Sequence, residues 1–259
     1  MRWTAAAALA AAIGLLACAS AQPQATSYFK SGAGPDMIQI LPPPPARGSP
    51  AKAADDAAFK ATQSLRGTPR WKLAAADADA SPQTALGLFS CAAGVKLEPA
   101  SSPALFHLIS RLSASGFGII EPPKTRYDRL RPFKEHVAAT CVDTADIAPG
   151  SFPSGHTTMG WAWALVLAEI APDKATPILQ RGRAYGESRV VCGVHYPSDL
   201  DAGRTTGAAL VATAHANPEF RDDLDKARAE LAALRASGGS APDPEQCKVQ
   251  DAAGAQQPW

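Results

Sequence analysis

Large apolar residues recur along this chain at helical spacing, in Ala-rich stretches separated by short Pro- or Gly-bearing breaks. Leu105, Leu108, Ile109 and Leu112 fall at i, i+3, i+4 and i+7, which predicts an amphipathic helix over 105–115. Residues 56–61 and 71–76 combine Ala with spaced aromatics, and 84–92 follow Pro82, so each predicts a helix. Residues 160–171 are apolar nearly all round, which predicts a central buried helix containing Trp161 and Trp163 and stopped by Pro172. Further helices are predicted over 175–188, with Arg181 and Arg183 pointing outward, over 199–215 and over 219–236. The alternation of a half-buried strand is almost absent, and there is no internal repeat. The fold class expected is all-α, with one helical domain over 51–236.

The two ends read differently. Residues 22–50 predict an extended, Pro-rich leader, because Leu41 runs into Pro42-Pro43-Pro44-Pro45, a polyproline-like stretch. Residues 237–259 are rich in Gly, Ser, Pro and Gln and predict a flexible tail pinned at Cys247. Residues 1–21 carry Arg2, an apolar run over 5–17 and Ala19-Ser20-Ala21, the pattern of a signal peptide cleaved before Gln22. Leu15-Leu16-Ala17-Cys18 also has the outline of a lipoprotein box, but Leu16 fits it poorly, so cleavage near Ala21 is preferred over a lipid anchor on Cys18. After residue 21 the longest apolar run, 160–170, is too short to span a bilayer and contains Glu169. The mature chain is therefore expected to lack a transmembrane segment and to be periplasmic or secreted.

Composition narrows the function. Hydrophobic residues make up 46% of the 259, which excludes disorder over most of the length. Basic and acidic residues number 25 and 24, so nucleic acid is not an expected partner. Cys91, Cys141, Cys192 and Cys247 follow the signal segment; an even count in an exported chain predicts two disulfides, with three pairings open. No two of them have the spacing of a Cys-x-x-Cys metal site.

Three segments carry candidate chemistry: Lys124 to Arg131-Pro132; Pro153-Ser154-Gly155-His156; and Ser188-Arg189 to His195 and Asp199. In order they read K-x6-R-P, P-S-G-H and S-R-x5-H-x3-D. Taken singly, a Lys/Arg cluster is a solvated face, Ser-Gly a helix cap and a lone His a packed or surface residue. Together they match the signature of the type 2 phosphatidic acid phosphatase superfamily at eleven fixed positions. Within it the chain resembles the class A bacterial non-specific acid phosphatases, through the Leu41-to-Pro45 leader and the Arg70-Trp71-x2-Ala74-x2-Asp77 segment. The resemblance covers residues 35–215. It implies an all-helical fold of the acid phosphatase/vanadium haloperoxidase type, a phosphohistidine intermediate, no metal and no cofactor. Homo-oligomers are common among such relatives, though no interface is visible in the sequence.

The chemistry of the residues points the same way. A phosphoryl transition state spreads negative charge over three oxygens, and catalysis is largely positioning and electrostatic stabilisation. Lys124, Arg131 and Arg189 supply cations, the arginines suited to paired contacts with phosphate oxygens. Pro132 biases Arg131 to extended backbone. Ser154 and Gly155 stand where a helix from His156 or Thr157 should start, presenting free N–H groups to an anion; Thr157 or Thr158 could cap that helix instead. His195 is the expected nucleophile, Asp199 one helical turn on would fix its tautomer, and His156 is the expected general acid. His107, His136 and His215 receive structural or surface roles. The expected substrates are small phosphomonoesters, with phosphotransfer to alcohols as a side activity. The alternatives are a lipid or isoprenoid pyrophosphate phosphatase, a vanadate-dependent haloperoxidase and a non-enzymatic phosphate-binding protein.

Overall fold

The structure is a computed structural model that describes residues 25–30, 33–145 and 147–259. The expected signal peptide over 1–21, its cleavage site and Cys18 lie outside these residues.

The described residues are helical, with no strand among them. The helices are α1 (Met37–Ile40), α2 (Pro50–Thr62), α3 (Pro69–Ala76), α4 (Pro82–Ala93), α5 (Pro103–Tyr127), α6 (Pro132–Glu135), α7 (Gly155–Ile170), α8 (Ala175–Val191), α9 (Pro197–Ala214), α10 (Pro218–Ala236) and α11 (Pro244–Ala255). Eight of them carry Pro in the first turn. This explains why a chain with 23 prolines is nonetheless helical: a first-turn Pro gives up an N–H that the helix leaves unpaired anyway. Ser49, Thr68, Ser81, Asn217 and Asp243 cap such starts through their side chains, and Ser154 caps α7, which starts at Gly155, in the same way.

Helix α7 is the centre. It packs against α8 and α9, and α5 and α10 close over it. Trp163, Val166 and Leu167 are fully buried, whereas Trp161 is only half-buried. The stripe of Leu105, Leu108, Ile109 and Leu112 on α5 is buried in the same core. Helix α5 runs well beyond the apolar stripe seen in the sequence, through Pro122 and Pro123. By length and composition the stretch Pro103–Glu135 would suffice to cross a membrane, yet more than half of its most apolar window is buried inside the fold.

Three local expectations are revised. Arg181 does not face outward: it is 3% exposed, and its guanidinium reaches both carboxylate oxygens of Asp77 on the chain just past α3, at 2.5 and 3.2 Å. The reason is that α3, α4, α7 and α11 all pack on α8 and leave it little free surface. Arg183 is partly exposed and pairs with Glu187 and the Gly254 carbonyl. The segment 237–259 contains α11, which packs on α8, and the Cys91–Cys247 disulfide ties it to α4. The leader over 22–50 contains the single turn α1 before its prolines. The second disulfide joins Cys141 to Cys192.

Candidate active site

Lys124 lies in the last turn of α5. Asp128 ends that helix in the left-handed region at φ 39°, a conformation Asp tolerates better than most residues. The chain then doubles back, so Arg129 and Arg131 follow within a few residues. Arg131 takes extended backbone (φ −79°, ψ 153°) ahead of Pro132, as the Pro requires. Its Nε donates to the Ala148 carbonyl at 3.0 Å, and Nη1 and Nη2 donate to the Val194 and Gly150 carbonyls at 3.0 and 3.3 Å. Lys124 Nζ donates to the same Gly150 carbonyl at 2.8 Å.

Helix α7 begins at Gly155, with Ser154 as its cap. Ser154 Oγ accepts from the Thr157 amide and hydroxyl at 3.3 and 3.0 Å, so Ser154, not Thr157 or Thr158, is the capping residue. Ser154 is fully buried behind the cleft; Gly155 lines it. The Ser154 amide donates to the Asp199 carbonyl at 3.0 Å, which docks the start of α7 on the start of α9.

His195 follows α8 after a tight turn. Gly193 in that turn has φ 79°, and a Cβ there would sit 3.0 Å from the Ala139 carbonyl, so glycine serves both the backbone and the space. The Cys141–Cys192 bond holds the same turn. His195 is 3% exposed. Its Nδ1 lies 3.2 Å from Asp199 Oδ2, and its Nε2 lies 3.0 Å from Arg131 Nη1. A guanidinium only donates, so Nε2 is the acceptor, and the proton of the neutral ring sits on Nδ1 facing Asp199. Burial first, then the charges of Arg131, Lys124 and Arg189, hold His195 well below the usual histidine range. The ring is thus neutral, with its lone pair on Nε2.

His156 stands on the first turn of α7, and its Nε2 lies 2.8 Å from the Ala78 carbonyl. A carbonyl only accepts, so Nε2 carries a proton and Nδ1 is the atom that gains or loses one. Burial, followed by the charge of Arg189 and then Arg131 and Lys124, holds His156 down to about 3. Lys124 is itself lowered to about 8 by burial and by Arg131. Arg189 donates at 3.3 and 3.4 Å to the Asp77 and Ala74 carbonyls, and its Nε is buried without a partner among the described residues.

Lys124, Arg131, Gly155, His156, Arg189 and His195 line one cleft of about 260 Å³. The structure therefore brings six of the eight expected site residues to one surface, with Asp199 and Ser154 directly behind them. Such a cleft concentrates three cations, a helix N-terminus and two imidazoles on one small anion. Past Lys124, Gly155 and His156 it opens into a larger groove of about 1130 Å³, lined by Phe106, Phe117, Ile120 and Met159 among others.

Four residues behind the cleft were not assigned roles from the sequence. Arg129 bonds Asp199, and Asp55 bonds Arg129. Asp77 accepts from Ser188 Oγ at 2.6 Å, and Arg70 donates to the same hydroxyl at 2.9 Å. Arg70 and Asp77 stood in the Arg-Trp segment; Arg129 occupied no fixed position of the three-part signature. Elsewhere, Asp56, Glu135 and His136 bring metal-ligand atoms together, but the Lys52 ammonium lies 2.7 Å from Asp56 and 3.1 Å from Glu135 and makes the group an ion-pair network.

The PAP2 superfamily profile matches residues 104–222, which span all three motifs. An acid phosphatase of Zymomonas mobilis subsp. mobilis is 41% identical over 235 residues, covering 90% of this chain and 87% of that protein. A non-specific acid phosphatase of Providencia stuartii is 40% identical, over 80% of this chain and 86% of its own. That of Salmonella typhimurium is 39% identical, over 74% and 78%. With its motif residues gathered on one cleft and this likeness running over most of its length, the chain belongs to the PAP2 superfamily, among the non-specific acid phosphatases.

Proposed function

We propose that this chain is an acid phosphatase that hydrolyses phosphomonoesters through a phosphohistidine on His195. The observation that carries this is the setting of the His195 ring, with Nδ1 3.2 Å from Asp199 Oδ2, Nε2 3.0 Å from Arg131 Nη1 and three cations lining the cleft it enters. Lys124, Arg131 and Arg189 hold the phosphate oxygens, together with the Gly155 end of α7. The Ser154 hydroxyl, which accepts from the Thr157 amide and hydroxyl, supports this end of α7 from behind the cleft.

Nε2 attacks phosphorus and the P–O bond to the alcohol breaks. His156 Nδ1–H gives its proton to the leaving alkoxide, while Asp199 offsets the positive charge on the phosphorylated ring. His156, now neutral, takes a proton from water as that water attacks phosphorus. The P–N bond breaks, phosphate leaves, and the lone pair returns to Nε2. An alcohol in place of water completes phosphotransfer. The cations that line the cleft make it a poor place for a further metal ion, which supports a metal-independent reaction.

We also propose that the chain is exported to the periplasm or beyond, its two cystines forming in an oxidising compartment. The test of the reaction is hydrolysis of p-nitrophenyl phosphate between about pH 4 and 9, with and without chelator, for wild type and His195→Ala. Turnover that survives chelation and vanishes in the variant, with an acid-labile phosphoprotein trapped on quenching, supports the proposal. Turnover by His195→Ala, or phosphate binding without turnover by the wild type, sinks it.

A further inference from the structure

Behind the cleft, Arg129 closes a buried ring of hydrogen bonds that meets the cleft lining at His195. Its Nη1 donates to Asp199 Oδ1 at 2.6 Å and to Ser198 Oγ at 2.7 Å. Its Nη2 donates to Asp55 Oδ2 at 2.7 Å. Asp55 in turn accepts from the Ser198 amide at 3.0 Å and from the Ser198 hydroxyl at 2.5 Å. Asp199 is 0%, Asp55 3% and Arg129 9% exposed, so these are buried charges that survive only when paired. The Arg129 guanidinium also lies over the Tyr196 ring, 4.5 Å from its centroid, which fixes its plane.

The other carboxylate oxygen of Asp199, Oδ2, receives the Tyr196 amide at 2.9 Å and His195 Nδ1 at 3.2 Å. Each oxygen thus has its own donors, and only the Oδ2 side faces the nucleophile. All of these groups donate, an arrangement that the ionised carboxylate satisfies and the protonated one does not.

We propose that Arg129, held by Asp55, is a positioning residue for the nucleophile: it keeps Asp199 ionised and turned so that Oδ2 holds the Nδ1–H tautomer of His195. This rests on the proposed role of His195. Burial alone would push the Asp199 carboxyl upward, and Arg129 is the main opposing charge. Arg129 also neutralises part of the Asp199 charge, which would otherwise draw His195 toward the imidazolium and remove its lone pair. Asp55 balances Arg129 in the same way from α2.

The groups facing Asp199 are Lys124 from α5, Arg129 and Arg131 from the α5–α6 link, Asp55 from α2, and His195 with the Tyr196 amide from the α8–α9 turn. Helix α7 contributes the Ser154 amide on the Asp199 backbone carbonyl and presents His156 to the cleft, and α8 presents Arg189 there. Among these cations, Arg129 is the one that hydrogen-bonds the Asp199 carboxylate, and it does not line the cleft.

Arg129→Met and Arg129→Lys, in the full chain, test this by two readouts. In Arg129→Met, kcat at about pH 6 should fall on the order of 10–100-fold, the size of loss seen when the outer partner that orients a metal-bound imidazole is removed. KM should change little, and the acid limb of the kcat profile should move to higher pH. Arg129→Lys, which keeps the charge, should restore much of kcat and return the limb toward its wild-type position. Separately, nitrogen NMR of the His195 ring reports the tautomer without any turnover; at about pH 7, above the Asp199 value of about 6, the Nδ1–H signature should be kept in wild type and lost in Arg129→Met. If Arg129→Met fails to fold, the Arg129→Lys profile and spectrum decide instead: an unmoved limb with an unchanged ring signature overturns the proposal. So does a folded Arg129→Met with wild-type kcat, limb and tautomer. A wild-type enzyme that keeps the tautomer but does not use His195 would refute the phosphohistidine and leave the tautomer result standing.

Discussion

Arg131 Nη1 and His195 Nε2 lie 3.0 Å apart, a donor against the nitrogen proposed to attack phosphorus. Phosphate entering the cleft therefore replaces one partner of Arg131 by another of higher charge, and frees Nε2 in the same movement. Arg131→Ala is expected to lower kcat/KM by about 10²–10³-fold, the range for loss of one transition-state donor. Arg131→Lys should recover only part of this, because the ammonium cannot form the forked contact. Steady-state kinetics on p-nitrophenyl phosphate measure both.

His156 must be protonated to act as an acid, yet its surroundings hold it down to about 3. The opposing cations, Arg189, Arg131 and Lys124, are the ones an incoming phosphate neutralises. Anion binding at about pH 5 is thus expected to take up a proton, on the order of one per site, and His156→Gln should abolish the uptake. Calorimetric titration with vanadate, a mimic of the transition state, in buffers of different ionisation enthalpy measures this. The sign for folding follows. The native state binds fewer protons here than an unfolded chain with a histidine near 6.5, so the contribution of neutral His156 is complete above about 6.5 and is lost as pH falls through about 3.

Asp199 sets the other limb. Burial pushes it up to about 6, and it must be ionised to hold His195. Activity is expected to follow a bell-shaped profile, falling in acid as Asp199 protonates and in alkali as His156 in the substrate complex loses its proton. A rate that climbs steadily to about pH 9 would refute the role of His156.

The Cys141–Cys192 bond closes a separation of 51 residues three positions before His195. In the chain-entropy account a loop of that size is worth about 4 kcal/mol. Cys141→Ser with Cys192→Ser is expected to lower unfolding free energy by about that amount, and to lower kcat as the turn loosens. Denaturant titration and kinetics check the two effects. Reduction without loss of Tm or activity would show that the bond holds neither the fold nor the turn.

Gly207 on α9 faces α7 so closely that a Cβ would lie 2.6 Å from the Thr158 carbonyl. Gly207→Ala is expected to cost about 1–3 kcal/mol by overpacking and to displace the start of α7, with its His156, from α9. Gly118 on α5 has no neighbour within 4 Å of the same added atom, so Gly118→Ala is expected to be neutral or to stabilise by up to about 1 kcal/mol. Thermal unfolding of the pair distinguishes close packing from general intolerance of a methyl group.

The helices were legible in the sequence because each advertises itself locally. A first-turn Pro, a capping Ser or Thr and a 3.6-residue apolar stripe act over one or two turns, so Pro82, Ser81 and the Leu105–Leu112 stripe say as much in the sequence as in the fold. The eight candidate site residues were legible because three short motifs carry them. The disulfide pairing, the inward turn of Arg181 and the Asp55–Arg129–Asp199 ring were not. Arg129 and Asp55 are 74 residues apart and Arg181 and Asp77 are 104 apart. A buried ion pair of that separation leaves no periodic trace, since each partner alone resembles a surface charge. Only when α2, α3 and the α5–α6 link pack against α8 and α9 do these charges lose water and become tied to one another. The sequence by itself named the groups proposed to hold and attack a phosphate. Tertiary packing decided which nitrogen of His195 keeps the lone pair, because the donor on one side and the carboxylate on the other come from different elements.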